Sequence, residues 1–225
     1  MKPPTVTVHS MGNEREPVAV VENFASDPDI LRHEAALKTF KCSSDYYPGL
    51  KAPVSETYLA TQHALLAMVL REVFGIVGAV SVLDICYAMV TTPAGELTLQ
   101  QCIPHVDGLE PDRIALIHYL VPAGCDGTAF YRHRLTQFET VDQARSQQYF
   151  ASLNSDLRTH GHPPPTYLDG NSAIFERIGH FTGDYNRALI YRGRLLHCGA
   201  IGAGSSLPEA PETGRLTITG FFAAA

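Results

Sequence analysis

The spacing of apolar residues changes about a third of the way along the chain. Before residue 80, apolar positions recur at the helical period of about 3.6 residues in two segments. These segments predict helices over about 26–41 and 55–74. Ser26-Asp27-Pro28 suits a helix start, because Ser or Asp can cap the first turn and proline is tolerated within it. A short β-rich run at 17–21 predicts an early strand, and 5–8, in an otherwise polar entry segment, could add an edge strand.

From Val80 onward the pattern is typical of short strands separated by Pro, Gly and Asp clusters, with one further helix at about 141–160. The predicted strands cover 80–92, 96–103, 114–121, 128–134, 173–177, 187–191, 195–198 and 215–222. Two helices followed by roughly eight strands favour a mainly β fold, a sandwich or jelly roll with helices packed on one outer face. We expect a single domain over 1–225, in which 1–79 supply a strand and two supporting helices and 80–222 form the core.

Composition excludes several classes of partner. The 225 residues are 45% hydrophobic and 18% charged, which is enough to build one ordinary core. A net charge of −6 without any Lys/Arg run argues against binding to nucleic acid or to an anionic membrane surface. The chain start lacks a signal-peptide pattern, no segment reaches transmembrane length, and the five cysteines are dispersed. We therefore expect a cytoplasmic protein with reduced thiols.

A candidate metal site lies in the stretch 101–108, QCIPHVDG. His105 and Asp107 would point to the same face of an extended strand, because side chains alternate there. With His197, from a second strand-like run, they would form the two-histidine, one-carboxylate set that holds iron(II) and leaves three positions for an oxo-acid and dioxygen. The H-x-D pattern alone is weak evidence, since chance supplies about half of one such match in this chain.

Arg215 begins the last predicted strand and shares a face of it with Thr217 and Thr219. An arginine that faces a barrel interior requires a carboxylate, because burying a guanidinium without a partner is costly. An acidic cosubstrate would supply that carboxylate. The residues together favour a non-haem iron oxygenase.

In their order along the chain, these segments resemble the iron(II)/2-oxoglutarate-dependent oxygenases, specifically the prolyl-hydroxylase-like branch of the double-stranded β-helix, a cupin-like jelly-roll barrel. The matching segments are 20–24 (VVENF), the Pro-Gly turn at 93–95, the H-x-D motif, the strand 114–120 ending in Tyr-Leu, 127–130 (GTAF), and the strands of His197 and Arg215. The resemblance covers about residues 18–222. The run 130–134 (FYRHR) also suggests a family whose members have no assigned activity.

The resemblance implies three groups of site residues. The iron ligands, which are also the catalytic residues, would be His105, Asp107 and His197. The groups around the distal carboxylate of 2-oxoglutarate would be Arg215, Tyr119 and Thr217. Tyr131, Arg132 and His133 are candidates for the substrate pocket, the alternative for this run being a solvated strand end.

The implied reaction is hydroxylation of a peptide, an amino acid or a small metabolite by dioxygen, coupled to oxidation of 2-oxoglutarate to succinate and carbon dioxide. Two features depart from the family pattern. A Gly/Ser/Pro-rich loop, 199–214, lengthens the segment between His197 and Arg215, and Thr92 stands where some members have a tyrosine. This loop and the segments 42–54 and 142–165 are the expected specificity elements.

Two other functions fit parts of the pattern. A cupin-type metal protein would use the same barrel without 2-oxoglutarate, although Asp107 breaks its usual H-x-H signature. A non-catalytic binding domain would keep the fold and perform no chemistry. The sequence leaves the primary substrate and the oligomeric state open.

Overall fold

The computed structural model describes residues 2–42, 46–121 and 125–224. The strands in these ranges are β1 Thr5–Met11, β2 Glu16–Glu22, β3 Lys41–Cys42, β4 Gly49–Pro53, β5 Val80–Val90, β6 Arg113–Tyr119, β7 Cys125–His133, β8 Phe175–Gly183, β9 Ala188–Arg192, β10 His197–Ala200 and β11 Arg215–Ala224. The helices are α1 Pro28–Ala36, α2 Thr57–Phe74 and α3 Gln143–His160, and a 3-10 turn spans Leu99–Cys102.

Two antiparallel sheets face each other. The larger sheet has the order β1-β2-β9-β6-β11-β5-β4-β3, and the smaller has the order β10-β7-β8. Tyr119 and Tyr191 of the larger sheet pack against Phe130 of the smaller one in a buried apolar cluster between the layers. The fold is therefore mainly β, as predicted.

Helices α1 and α2 cover the outer face of the larger sheet. On β11, Leu216 and Ile218 belong to the buried cluster beneath the helices, whereas Arg215 and Thr217 alternate to the inner side. One face of this central strand thus packs under the helices, and the other faces the space between the sheets. Among the helices in the described ranges, none combines the length and apolar character needed to span a membrane.

The predicted elements mostly form, with differences at their ends. Helix α1 begins as expected, with Asp27 accepting a hydrogen bond from Ile30 N at 3.2 Å, but it ends at Ala36 rather than near residue 41. Helix α2 ends at Phe74, and the C-cap residue Gly75 adopts a φ of 69° that favours glycine. The segment 42–54, expected to be a loop, contains β4; residues 43–45 of that segment lie outside the described ranges.

The strand predicted over 96–103 is wrong. Thr98 and Gln101 form a capping box, in which Thr98 N donates to Gln101 Oε1 at 2.9 Å, and the chain makes a 3-10 turn instead. This reciprocal pair satisfies backbone donors locally, so the segment does not depend on strand pairing. The turn leads directly into the segment that carries His105.

A buried polar network joins the helices to the sheet through Asn186, a residue with a φ of 60°. Its Oδ1 accepts hydrogen bonds from Ala25 N at 2.8 Å and from His118 Nε2 at 3.0 Å, and its Nδ2 donates to Ala25 O at 2.9 Å. His118 Nδ1 in turn accepts from the Tyr58 hydroxyl of α2 at 3.1 Å. The network therefore ties α2, and the segment that leads into α1, to β6.

We expect Asn186→Ala to lower the free energy of unfolding by about 2–4 kcal/mol, because buried polar groups lose their partners and alanine is disfavoured at positive φ. Urea denaturation followed by circular dichroism measures this change. Asn13→Ala, in the exposed turn between β1 and β2, is the matched control and should cost about 0.5 kcal/mol or less. Equal stability of the two variants would contradict a structural role for the Asn186 network.

Candidate active site

Backbone pairing brings His105 and His197 together. Residue 105 forms an isolated antiparallel bridge with residue 197, the first residue of β10: His105 N donates to His197 O at 2.9 Å, and His197 N donates to His105 O at 3.0 Å. Asp107 N donates to Gly193 O at 2.7 Å, which places its carboxylate on the same side. His105 and Asp107 thus share a side as predicted, but on a short bridged segment rather than in a strand.

The three side chains converge. One ligand atom from each of His105, Asp107 and His197 lies within 4.8 Å of the others. The distance from His105 Nε2 to Asp107 Oδ1 is 3.8 Å, and that from His197 Nε2 to Asp107 Oδ2 is 3.4 Å. Two imidazoles and one carboxylate in this arrangement match the ligand set of non-haem iron(II) sites.

Two further observations fit a divalent metal at this triad. His197 Nδ1 donates to Leu195 O at 2.8 Å, so this tautomer leaves the Nε2 lone pair facing Asp107. Asp107 Oδ2 is buried and has no hydrogen-bond partner in the part of the chain that the structure describes. A buried carboxylate oxygen without a partner is costly, and a cation between the three side chains would satisfy it.

The protonation states are those that a metal requires. Burial lowers the pKa of His197 to about 4. Desolvation, together with the neighbouring His197, lowers the pKa of His105 to about 4, although 53% of its side chain stays accessible from the cavity. Burial raises the pKa of Asp107 to about 6 against the opposing effects of His105 and Arg113. At neutral pH both imidazoles are therefore neutral and the carboxylate is ionised, ready to ligate.

Arg113, the first residue of β6, holds the backbone of Asp107 in place. Its Nη1 donates to Asp107 O, while its own carbonyl accepts from Gly193 N at 2.8 Å. A Cβ at Gly193 would lie 3.3 Å from Asp107 Cβ and 3.2 Å from Arg113 Cγ, so a side chain there would crowd both. These contacts fix the carboxylate through the main chain.

The triad opens into a cavity of about 620 Å³. Its inner wall comes from β6 and β11 and consists of Ala115, Ile117, Arg215, Thr217, Thr219 and Phe221. A second wall comes from one face of α3 and consists of Tyr149, Phe150, Leu153, Asn154 and Leu157. The segment 46–51 and Ile201 close other sides, so each of the three expected specificity elements contributes to the lining.

Arg215 is buried beside β10. Its Nη2 donates to Gly127 O at 2.8 Å and lies 3.9 Å from where a Cβ of Gly199 would be. Gly199 follows His197 by two positions on the same strand face, a separation of about 7 Å. Arg215 Nε has no hydrogen-bond partner among residues 2–42, 46–121 and 125–224, and no carboxylate in these ranges forms an ion pair with the guanidinium. The site thus contains a buried cation without an anion.

The two predicted hydroxyl groups differ in position. Thr217 lines the cavity and donates to Ala88 O at 3.1 Å. Tyr119 is fully buried and does not line the cavity; its ring centroid lies 5.8 Å from Arg215 Cζ and its hydroxyl is 2.6 Å from Thr128 Oγ1. Thr128 does line the cavity. Tyr119 therefore supports Arg215 and Thr128 from behind.

Tyr131, Arg132 and His133 lie outside the cavity, which does not agree with the expectation that they line the substrate pocket. The Tyr131 hydroxyl donates to Leu168 O at 3.1 Å in the core beneath α3. His133 is buried, with its Nε2 3.1 Å from Asp156 Oδ2. Arg132 is bound by two carboxylates, Glu139 and Glu176. All three side chains have structural partners.

Several cavity residues were not singled out by sequence. Thr128 lies within the GTAF segment that carries the family resemblance, so its hydroxyl could have been predicted from the sequence as a cavity group. Tyr191 packs edge-on against His197 with centroids 4.8 Å apart. Lys51 and the cavity face of α3 carry no local motif, because only the tertiary packing determines which side chains cover the site.

Comparisons with known families and solved structures identify the family of the chain and its fold. Residues 2–222 match the model of a family of unknown function, DUF6445. The chain belongs to this family. That result agrees with the expectation of a family without an assigned activity, and the prolyl-hydroxylase-like branch stays a prediction. Comparison with curated protein sequences gave no match.

Two solved structures share the fold. HygX from Streptomyces hygroscopicus, solved with nickel, 2-oxoglutarate and hygromycin B bound, has a TM-score of 0.52 at 13% identity, covering 96% of this chain and 84% of HygX. SnoN, a non-heme alpha ketoglutarate dependent epimerase from nogalamycin biosynthesis, has a TM-score of 0.52 at 10% identity, covering 94% of this chain and 79% of SnoN. At these identities the likeness shows the fold alone, and it confirms the predicted jelly-roll class.

We expect the purified protein to bind one equivalent of Mn(II), and His197→Ala to abolish that binding, because two ligands alone leave the ion weakly held. Isothermal titration calorimetry measures the stoichiometry and the affinity. His63→Ala, which removes an exposed histidine from α2, should bind as the unmodified protein does. Unchanged binding by His197→Ala would exclude the triad as the metal site.

Arg113→Ala should weaken Mn(II) binding by about 10–100-fold, the usual cost of losing a group that orients a metal ligand. The ligand set is unchanged in this variant, so the loss reports the position of Asp107. Arg71→Ala, on the exposed side of α2, serves as the control. If Arg113→Ala keeps its fold by circular dichroism and also its full metal affinity, Arg113 does not position Asp107 for metal binding.

Proposed function

We propose that this chain is an iron(II)- and 2-oxoglutarate-dependent oxygenase that hydroxylates a small organic molecule or a peptide. The observation that carries the proposal is Arg215, a buried cation without an anionic partner in the described ranges, in the same cavity as the His105, Asp107 and His197 triad. A dicarboxylate that chelates the metal through its oxo-acid end would bring its second carboxylate to this guanidinium. The cavity therefore matches 2-oxoglutarate at both ends.

The shared fold supports the same conclusion. HygX was crystallised with nickel and 2-oxoglutarate, and SnoN is described as alpha ketoglutarate dependent. The use of 2-oxoglutarate is a property of those two proteins. For the present chain, the proposal that it uses 2-oxoglutarate rests on the triad and Arg215 in its own cavity. Iron(II), when bound, supplies the open coordination positions and the reducing electrons with which dioxygen and 2-oxoglutarate react.

Each residue has a role that follows from its position. His105, Asp107 and His197 would hold the metal, and the Leu195 carbonyl fixes the His197 tautomer. Arg215 would pair with the distal carboxylate of the cosubstrate, and the hydroxyl groups of Thr128 and Thr217 lie in the same lining. Desolvation would strengthen this ion pair, because Arg215 is only 9% exposed.

Apolar walls would serve the chemistry by excluding water from the metal. Ala115, Ile117 and Phe221 form the sheet side of the cavity, and the face of α3 forms the other. Tyr191 and Phe130 pack around the His197 ring with centroids 4.8 Å and 6.3 Å from it, so the imidazole cannot tilt freely. The ring of His197 is thus held by packing, whereas His105 is accessible from the cavity.

The two other functions make different demands. A cupin-type metal protein that works without 2-oxoglutarate gives no reason for a buried Arg215 without an acid. A non-catalytic binding domain gives no reason for three converging metal-ligand side chains with an orphaned carboxylate oxygen.

A thermal-shift experiment separates the three functions. We expect Mn(II) and 2-oxoglutarate together to raise the melting temperature more than either alone, because each ligand completes the site of the other. A shift with metal alone would favour the cupin-type protein, and no shift with either would favour the binding domain.

Arg215→Met should weaken 2-oxoglutarate binding by about 30-fold or more while leaving the metal ligands in place, since removing one partner of a buried charge pair costs about 2–5 kcal/mol. Arg158→Met, in the exposed last turn of α3, is the matched control. Succinate release by the iron(II)-loaded protein should fall in parallel. Unchanged 2-oxoglutarate affinity in Arg215→Met would contradict the proposed cosubstrate site.

A further inference from the structure

The cavity contains a second cation that the proposed cosubstrate does not use. Lys51 lies on β4 and pairs with Ala88 of β5, which itself pairs with Thr217 of β11. Lys51 and Thr217 therefore lie on the same inner face, two strands and about 10 Å apart. The side chain lines the cavity and is 23% exposed.

The ammonium group of Lys51 is only weakly engaged. Its Nζ lies 5.3 Å from the Tyr47 ring centroid and 3.9 Å from Asp84 Oδ2, a carboxylate that is itself 53% exposed. No hydrogen bond from Nζ exists within the described ranges. Exposed ion pairs at this distance contribute little and exchange readily with other anions. Lys51 is thus available to a ligand.

The ionised side chains that line the cavity have a net charge of +1. Lys51, Arg215 and Asp107 are the ionised side chains of the described lining, so their sum is one positive charge. A divalent metal adds two positive charges and 2-oxoglutarate removes two. The lining of the loaded site would therefore keep its excess positive charge at Lys51.

Around Lys51 the cavity is mainly apolar and aromatic. Tyr46, Tyr47 and Leu99 line the same cavity as Lys51, together with the apolar face of α3, and the neutral polar groups of the lining include the amides of Gln100, Gln101 and Asn154. Apolar walls with a few placed polar groups are typical of sites that orient a ligand by one charged end. A volume of about 620 Å³ leaves room beside a cosubstrate as small as 2-oxoglutarate.

We infer that Lys51 binds a carboxylate of the primary substrate, and that this substrate is an organic monoanion with a largely apolar body. The inference rests on the proposed function, because Arg215 is assigned to 2-oxoglutarate and Lys51 is the cation that then lacks a ligand. Lys51 would orient the apolar body towards the metal between the sheet and α3. It acts on substrate choice and performs no chemical step.

The experiment uses pairs of compounds that differ only in charge. Hexanoate, decanoate and 4-phenylbutyrate are compared with their primary amides, each added to the protein loaded with Mn(II) and 2-oxoglutarate. Thermal shift and calorimetric affinity are the measurements. We expect at least one carboxylate to bind about tenfold more tightly than its amide, the difference that a hydrogen bond to a charged group provides.

Lys51→Met should remove the preference for carboxylate over amide, and Lys51→Arg should retain it. Lys38→Met, which deletes an exposed lysine just after α1, should behave as the unmodified protein. Retention of the preference in Lys51→Met would overturn the inference, and so would the lack of any preference in the unmodified protein. A loss of 2-oxoglutarate affinity in Lys51→Met as large as that in Arg215→Met would also overturn it, because Lys51 would then hold the cosubstrate.

The first step of this experiment distinguishes a failure of the proposed function from a failure of the role assigned to Lys51. If Mn(II) and 2-oxoglutarate do not stabilise the unmodified protein together, the proposed function fails and the role of Lys51 fails with it. If they do and the compound pairs bind alike, only the role of Lys51 fails.

Discussion

The site depends on the backbone bridge between residues 105 and 197, which joins segments 92 residues apart in the chain. His105 and His197 exchange both of their main-chain hydrogen bonds, so their side chains emerge side by side. Asp107 is then fixed by its own bond to Gly193, in the turn that precedes β10. Three side chains are therefore positioned by main-chain contacts that do not depend on a bound metal.

The same arrangement carries an electrostatic cost. Asp107 Oδ2 and Arg215 Nε are buried atoms that have no hydrogen-bond partner within the described ranges, and both histidines are held neutral. A protein can retain such groups where other interactions stabilise the fold. Here the alternation of side chains along β11 separates the residues that stabilise the fold from those that form the site. Leu216 and Ile218 pack under the helices, while Arg215 and Thr217 face the cavity.

This alternation also explains what sequence could predict. Residues whose placement follows from period and order, such as His105, Asp107, His197 and Arg215, meet in one cavity. Side chains whose role depends on tertiary contacts could not be assigned from the sequence. Tyr119 carries the expected hydroxyl, yet the strand directs it behind Thr128. The strand predicted over 96–103 does not form, because a local capping box competes with strand pairing. The spacing of apolar residues contains no information about such a side-chain cap.

The cavity residues that sequence missed belong mainly to segments outside the central strands. Lys51 comes from the short strand β4, next to the sheet edge, and the apolar wall comes from α3, which is inserted between β7 and β8. These segments can change without disturbing the bridge at residues 105 and 197 or the packing of β6 against β11. Under the proposed function, substrate selection and metal binding would therefore fall to separate parts of the fold. A change of substrate would then require new side chains on α3 and β4, and would leave the triad and Arg215 as they are.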